Sequence, residues 1–97
     1  MKVTYHPHVQ QDIRRILKKY DEASPRVGDE FWDELMAFVK SAGANPERFH
    51  FDQKSGLRRV NLQKFPYHFL YRTIGDKIRV IVVRHNKRNP TLGSRRR

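Results

Sequence analysis

The stretch YHFLYRTIGDKIRVIVVRH, Tyr67 to His85, decides how the rest of the chain is read. Two runs of strand-forming residues flank Gly75-Asp76, a dipeptide that suits a two-residue hairpin turn. Such a turn sets Ile74 opposite Lys77, and the register of both strands follows. With strict alternation, Tyr67, Phe69, Tyr71 and Thr73 share a face with Ile78, Val80, Val82 and Arg84. His68, Leu70, Arg72 and Ile74 share the other with Lys77, Arg79, Ile81, Val83 and His85. The first face is apolar almost throughout and is expected to carry the core. The second is mixed and sets Arg72 directly against Arg79, a like-charge pairing that costs roughly 0.2–1 kcal/mol. Either both side chains splay into water over Leu70 and Ile81, or the pair holds an anion. His68 and His85, placed on the same face, favour a site.

Upstream, KVTY (Lys2–Tyr5) alternates as a short strand. From Pro7 to about Glu22, Val9, Ile13, Ile16, Leu17 and Tyr20 fall on one helical stripe, with Arg14, Arg15, Lys18 and Lys19 away from it as a solvated face. A second helix restarts at SPRVGDEF, with Ser24 as N-cap, Pro25 in the first turn and Asp29 and Glu30 early, where the helix dipole favours acids. Phe31, Leu35, Phe38, Val39 and Ala42 form its stripe, and Gly43 is read as its stop. Asn45–Gly56 reads as a loop, and LRRVNL as the first strand of the C-terminal meander. Arg58 and Arg59 there point to opposite faces, and the spacing leaves open which one joins the basic surface. The order β-αα-βββ predicts an α+β single domain over residues 1–97. Its antiparallel sheet would carry the helical hairpin on one face, with the first strand at an edge or beside the last strand. Residues from about 92 to 97 are expected to form a flexible basic tail.

The 97 residues suit one modest core. Without cysteine, neither a disulfide framework nor a thiolate metal site is available. His6 and His8, straddling Pro7, lack ligand companions, so no metal is expected. No phosphate-cradling glycine loop or nucleophile elbow appears, so no cofactor is expected either. No apolar run approaches a membrane span, and MKVTYHPHVQ lacks the apolar stretch of a signal peptide, so a soluble cytoplasmic protein without a membrane partner is expected. The net charge of +11 is segregated. Residues 1–56 carry nine Lys+Arg and nine Asp+Glu, whereas residues 57–97 carry twelve Lys+Arg against the single acid Asp76. A basic half of this kind suits a nucleic acid, a ribosome or an acidic protein as partner.

The combination LRRVNLQKFPYHFLYRTIGDKIRVIVVRHNKRNP, behind a helical hairpin, resembles the RelE/ParE superfamily of bacterial toxins from type II toxin–antitoxin systems. The pattern FPY…LYR…VRH..RNP carries the resemblance, which covers nearly the whole chain and looks closer to the ParE-like, plasmid-stabilisation branch. It implies a growth-inhibiting toxin, neutralised by a cognate antitoxin whose extended segment wraps over it in a hetero-oligomer. ParE-like members poison DNA gyrase and are not enzymes. RelE-like members are endoribonucleases that cut mRNA in the ribosomal A site, so the ribosome with mRNA is the alternative target.

RNA cleavage by a 2′-hydroxyl needs proton transfer and cationic stabilisation of the phosphate. On the RelE-like reading, His68, His85 and Arg88 are the catalytic candidates. Arg59 lies near one of the family's basic positions, and Arg88 matches another. The position of a second arginine falls on His68, and no tyrosine follows Arg88. These departures favour the ParE-like branch. On either reading, Arg59, Arg72, Arg79, Lys87 and Arg88 are candidate anion or nucleic-acid contacts.

Overall fold

The computed structural model describes residues 1–89 and 91–97; Pro90, which closes the VRHNKRNP pattern, lies outside them. Strand β1 spans Lys2–Tyr5, helix α1 Val9–Ala23, helix α2 Pro25–Ala44, and strands β2 to β5 span His50–Asp52, Leu57–Asn61, Tyr67–Ile74 and Lys77–His85. The helices are separated by Ser24 alone, whose extended backbone (φ −169°) ends one and starts the other. Its hydroxyl makes no capping bond; Pro25 sits at the start of α2, where a missing N–H costs nothing. Gly43 does not stop α2. It is buried within the last turn, and its carbonyl accepts a hydrogen bond of 3.0 Å from the Met1 ammonium.

The sheet runs β1-β5-β4-β3-β2. Four strands pair antiparallel, but β1 lies parallel to β5 at the edge, with Lys2 opposite Lys77 and Tyr5 opposite Val80, so the sheet is mixed. Part of the expected Asn45–Gly56 loop is the short strand β2, paired with β3 and exposed throughout. No alternation of buried side chains betrays an edge strand of three residues.

The turn behaves as its residues predict. Gly75 takes φ +60°, as a II′-type turn requires of its first central residue, and Ile74 faces Lys77. Pairing then continues as expected through Arg72–Arg79 to Tyr71–Val80. Between Leu70 and Tyr71 the register shifts, so that Leu70 pairs with Val82 and Ile81 is the extra residue of a β-bulge. Beyond it every side chain of β5 changes sides relative to strict alternation. Val83 joins the core under the helices, whereas Ile81 and Val82 pack with Leu57 and Leu70 in a second cluster. Arg84 pairs with His68, and His85 pairs with Tyr67. The expected placement of Val83 and His85 beside Arg72 and Arg79, and of Arg84 opposite them, is therefore reversed. The bulge forms where β1 ends, so that from Ile81 onward β5 is free of the constraint of its parallel neighbour.

The main core lies between the helices and the sheet, built from Val9, Ile16, Phe31, Leu35 and Val39 against Val60, Phe69, Tyr71, Ile78 and Val80. Tyr20, Phe31, Phe65 and Tyr67 close one end with ring centroids 5.2–6.1 Å apart, mostly edge to face. No described helix is long and apolar enough to cross a membrane.

Candidate functional site

Register settles which arginine of β3 joins the open face. Arg59 lies opposite Leu70 and Arg58 opposite Tyr71. Arg58 turns to the loop, donating to the carbonyls of Glu47 and Phe49 at 3.2 and 2.8 Å and lying 4.9 Å above the Phe51 ring. Arg59 faces the same side as His68, Arg84, Arg72 and Arg79, the side away from the helices.

At the centre of that face His68 is almost wholly buried, and both of its ring nitrogens are engaged. Nδ1 lies 2.8 Å from Asn86 Oδ1, and Nε2 lies 2.9 Å from Arg84 Nε. Arginine can only donate, so Nε2 accepts and the proton sits on Nδ1, where the Asn86 oxygen accepts it. Burial pushes the pKa of His68 down to about 4; the charges of Arg59, Arg84 and His85 push the same way, and the Asn86 hydrogen bond opposes them. The guanidinium of Arg84 is itself buried, which lowers its pKa, and Arg59 adds to the effect. Its Nη1 donates to the Leu92 carbonyl at 2.7 Å and to the Ser94 hydroxyl at 3.2 Å. Asn86, His68 and Arg84 thus form a relay that locks β4 to β5 and β5 to the segment after Asn89.

Arg72 and Arg79 face each other as expected, and between them lies an acceptor from the chain itself. Arg72 Nη2 and Arg79 Nε donate to the main-chain oxygen of Arg97 at 3.3 and 3.0 Å. Among the described residues, Arg72 Nε is buried without an acceptor. The preceding residue is anchored as well. Arg96 holds both carboxylate oxygens of buried Asp12 at 2.7 and 3.2 Å and reaches the Ile81 carbonyl at 3.3 Å. The Val83 N–H donates to the same carboxylate. Asp12 and Arg96 therefore satisfy the edge of β5 that β1 leaves uncovered beyond Val80.

His85 and Arg88 lie on the other side of the sheet. The His85 ring meets the Tyr67 ring edge to face at 5.0 Å, and its Nδ1 accepts the Lys87 N–H at 3.0 Å. With Arg15 and Lys19 of α1, His85 and Arg88 line a cavity of about 210 Å³. The two α1 cations read as a solvated face thus flank this cavity. The candidate residues accordingly fall into two groups. Arg59, His68, Arg72 and Arg79 share the open face, whereas His85 and Arg88 share the helix side, with exposed Lys87 in the turn between them. Arg84 and Asn86 went unnoticed as partners of His68, because strict alternation sends Arg84 to the wrong face. An arginine expected on the apolar face is the one signal that the alternation breaks. Among the described residues, no three His, Asp or Glu side chains converge as metal ligands.

Comparison with known families matches residues 3–90 to the ParE toxin of the type II toxin–antitoxin system, parDE. The chain belongs to the ParE toxin family. Among solved structures, the chromosomal ParDE toxin–antitoxin system from P. aeruginosa contains a chain similar in fold, with a TM-score of 0.76 at 18% identity over 88% of this chain and 95% of that one. No curated protein sequence matches it. The match takes in both helices and all five strands except Lys2 of β1, and it ends at Pro90, so residues 91–97 lie beyond the family's matched region.

Proposed function

We propose that this ParE-family toxin inhibits DNA gyrase and is neutralised by a cognate antitoxin in a toxin–antitoxin hetero-oligomer. The observation that carries this reading is the state of His68, the histidine that stands where a nuclease of the superfamily would need its cationic or proton-transfer group. Its nitrogens are both taken and it is held neutral, so it has no free position from which to exchange a proton with substrate. His85 and Arg88 line a cavity on the helix side of the sheet, whereas His68 faces the other side. The family membership supports the same branch. Arg59, Arg72 and Arg79 on the open face, with Lys87 and Arg88 at the exit of β5, are the proposed anion contacts.

The purified toxin, incubated with gyrase and plasmid, is expected to inhibit supercoiling and trap enzyme-linked DNA breaks, while programmed ribosomes keep their mRNA intact. Codon-phased mRNA cuts with undisturbed gyrase would replace this reading by the ribosome-dependent nuclease.

A further inference from the structure

Tyr67, His85 and Arg88, far apart in the FPY…VRH..RNP pattern, meet at the cavity of about 210 Å³ on the helix side of the sheet. Helix α1 supplies its other wall with Arg15 and Lys19. These two lie four residues apart, one turn along the same helical face, where like charges repel. Arg88 adds a third permanent cation. Among the described residues, none of the three forms an ion pair. The one acid of the lining, Asp12, is committed elsewhere: its carboxylate takes Arg96 through both oxygens and the Val83 N–H as well. His85 accepts the Lys87 N–H at Nδ1, so its neutral ring carries the proton on Nε2, and no described group accepts it there. Ile16, Val83 and Leu92 complete the lining with apolar surface, which strengthens the field of the cations.

Such a lining fits a compact anion of more than one charge. The cavity is smaller than the roughly 300–1,000 Å³ of sites that enclose a whole small ligand, so it suits the end of a molecule. A phosphate monoester carries about −1.5 to −2 charges at neutral pH and offers three acceptor oxygens. A backbone diester has a single charge and chain on both sides, and a carboxylate has a single charge and two oxygens. We propose that Arg15, Lys19, His85 and Arg88 form a site for a terminal phosphate group, separate from the open face of Arg59, Arg72 and Arg79. The proposal rests on the reading of Arg88 as an anion contact but not on gyrase as target, so a negative gyrase assay leaves it standing.

The test uses the full-length chain and a hexathymidylate labelled with fluorescein at its 3′ end, made with a 5′-phosphate or a 5′-hydroxyl. The phosphorylated strand is expected to bind about tenfold tighter, the gain from charge-assisted hydrogen bonds to one buried-end group. The ratio of the two affinities is the readout, because general attraction to a basic surface acts on both strands. Arg15→Gln/Lys19→Gln, at two exposed positions of α1, should bring the ratio to about one, and so should Arg88→Gln. Arg14→Gln/Lys18→Gln removes equal charge from the same helix outside the cavity and should leave the ratio intact. Inorganic phosphate and thymidine 5′-monophosphate, added as competitors, should each erase it. Competition as strong as the phosphorylated strand's makes free phosphates the ligand, and weaker competition makes it the strand end. The proposal is overturned if the two strands bind alike, if the ratio survives loss of Arg15 and Lys19, if the control variant abolishes it, or if neither competitor lowers it.

Discussion

At the scale of the single residue, His68 shows how a side chain with the chemistry of a catalyst can be committed to architecture. One nitrogen donates to Asn86 and the other accepts from Arg84, and the ring is nearly all buried. The consequence is a defined dependence of stability on acid. In the unfolded chain the imidazole titrates near its ordinary value of about 6.5, and in the folded chain near 4. Between these values the unfolded state holds a proton that the folded state does not. The stability that neutral His68 contributes is thus fully present above the upper value, drains away as pH falls, and stops falling at the lower one. The loss amounts to roughly 3 kcal/mol over that window. Urea unfolding midpoints across this range should show the decline. The ring's nitrogen resonances should stay those of the Nδ1–H tautomer down to about pH 5. A ring that titrates near neutrality would show that Arg84 does not hold it.

At the scale of the element, the bulge in β5 governs which residues meet. Ile81 is surplus to the pairing with β4. Its deletion should therefore leave His68 opposite Arg84 and Tyr67 opposite His85, and cost only the burial of one isoleucine and the bond from Arg96, about 2–4 kcal/mol. An alanine inserted after Val83 should instead swap the faces of Arg84 and His85, breaking the His68 relay. Backbone assignment with cross-strand contacts between residues 68 and 84 distinguishes the outcomes. The same element marks how far the sequence could be read. The turn, the Arg72–Arg79 pairing, both helical stripes and the neighbourhood of β1 and β5 were legible, because period and turn chemistry are local. The bulge was not, since the uninterrupted aliphatic run from Val80 to Val83 has no polar mark of phase. Nor was β2, whose three residues are all exposed. Of the candidate site, Arg72 and Arg79 were legible from charge and register, whereas the faces of Arg59 and Arg84 were not. Nor was the main-chain oxygen of Arg97 between Arg72 and Arg79, because nothing in a triple-arginine tail announces that its main chain will dock.

At the scale of the whole molecule, the separation of charge means that the folded toxin works against its own field. The basic half is gathered on one sheet and its tail, and the acids that balance the helices lie elsewhere in sequence. Screening relieves exposed like-charge repulsion more than it weakens the buried Asp12–Arg96 pair. Thermal melting is therefore expected to rise by several degrees from low to moderate sodium chloride, measured by scanning fluorimetry. A melting temperature that falls with salt would mean that attractive pairs dominate. The pairing of residues 2–5 with residues 77–80 carries a different consequence. In chain order β1 is made well before β5, its partner, and among the described residues no other strand covers that edge of β5. The sheet cannot close while translation is in progress, so a truncated or stalled product holds an open edge and an unfinished core. A cell making this toxin therefore meets it all at once, folded only after its final strand has been synthesised.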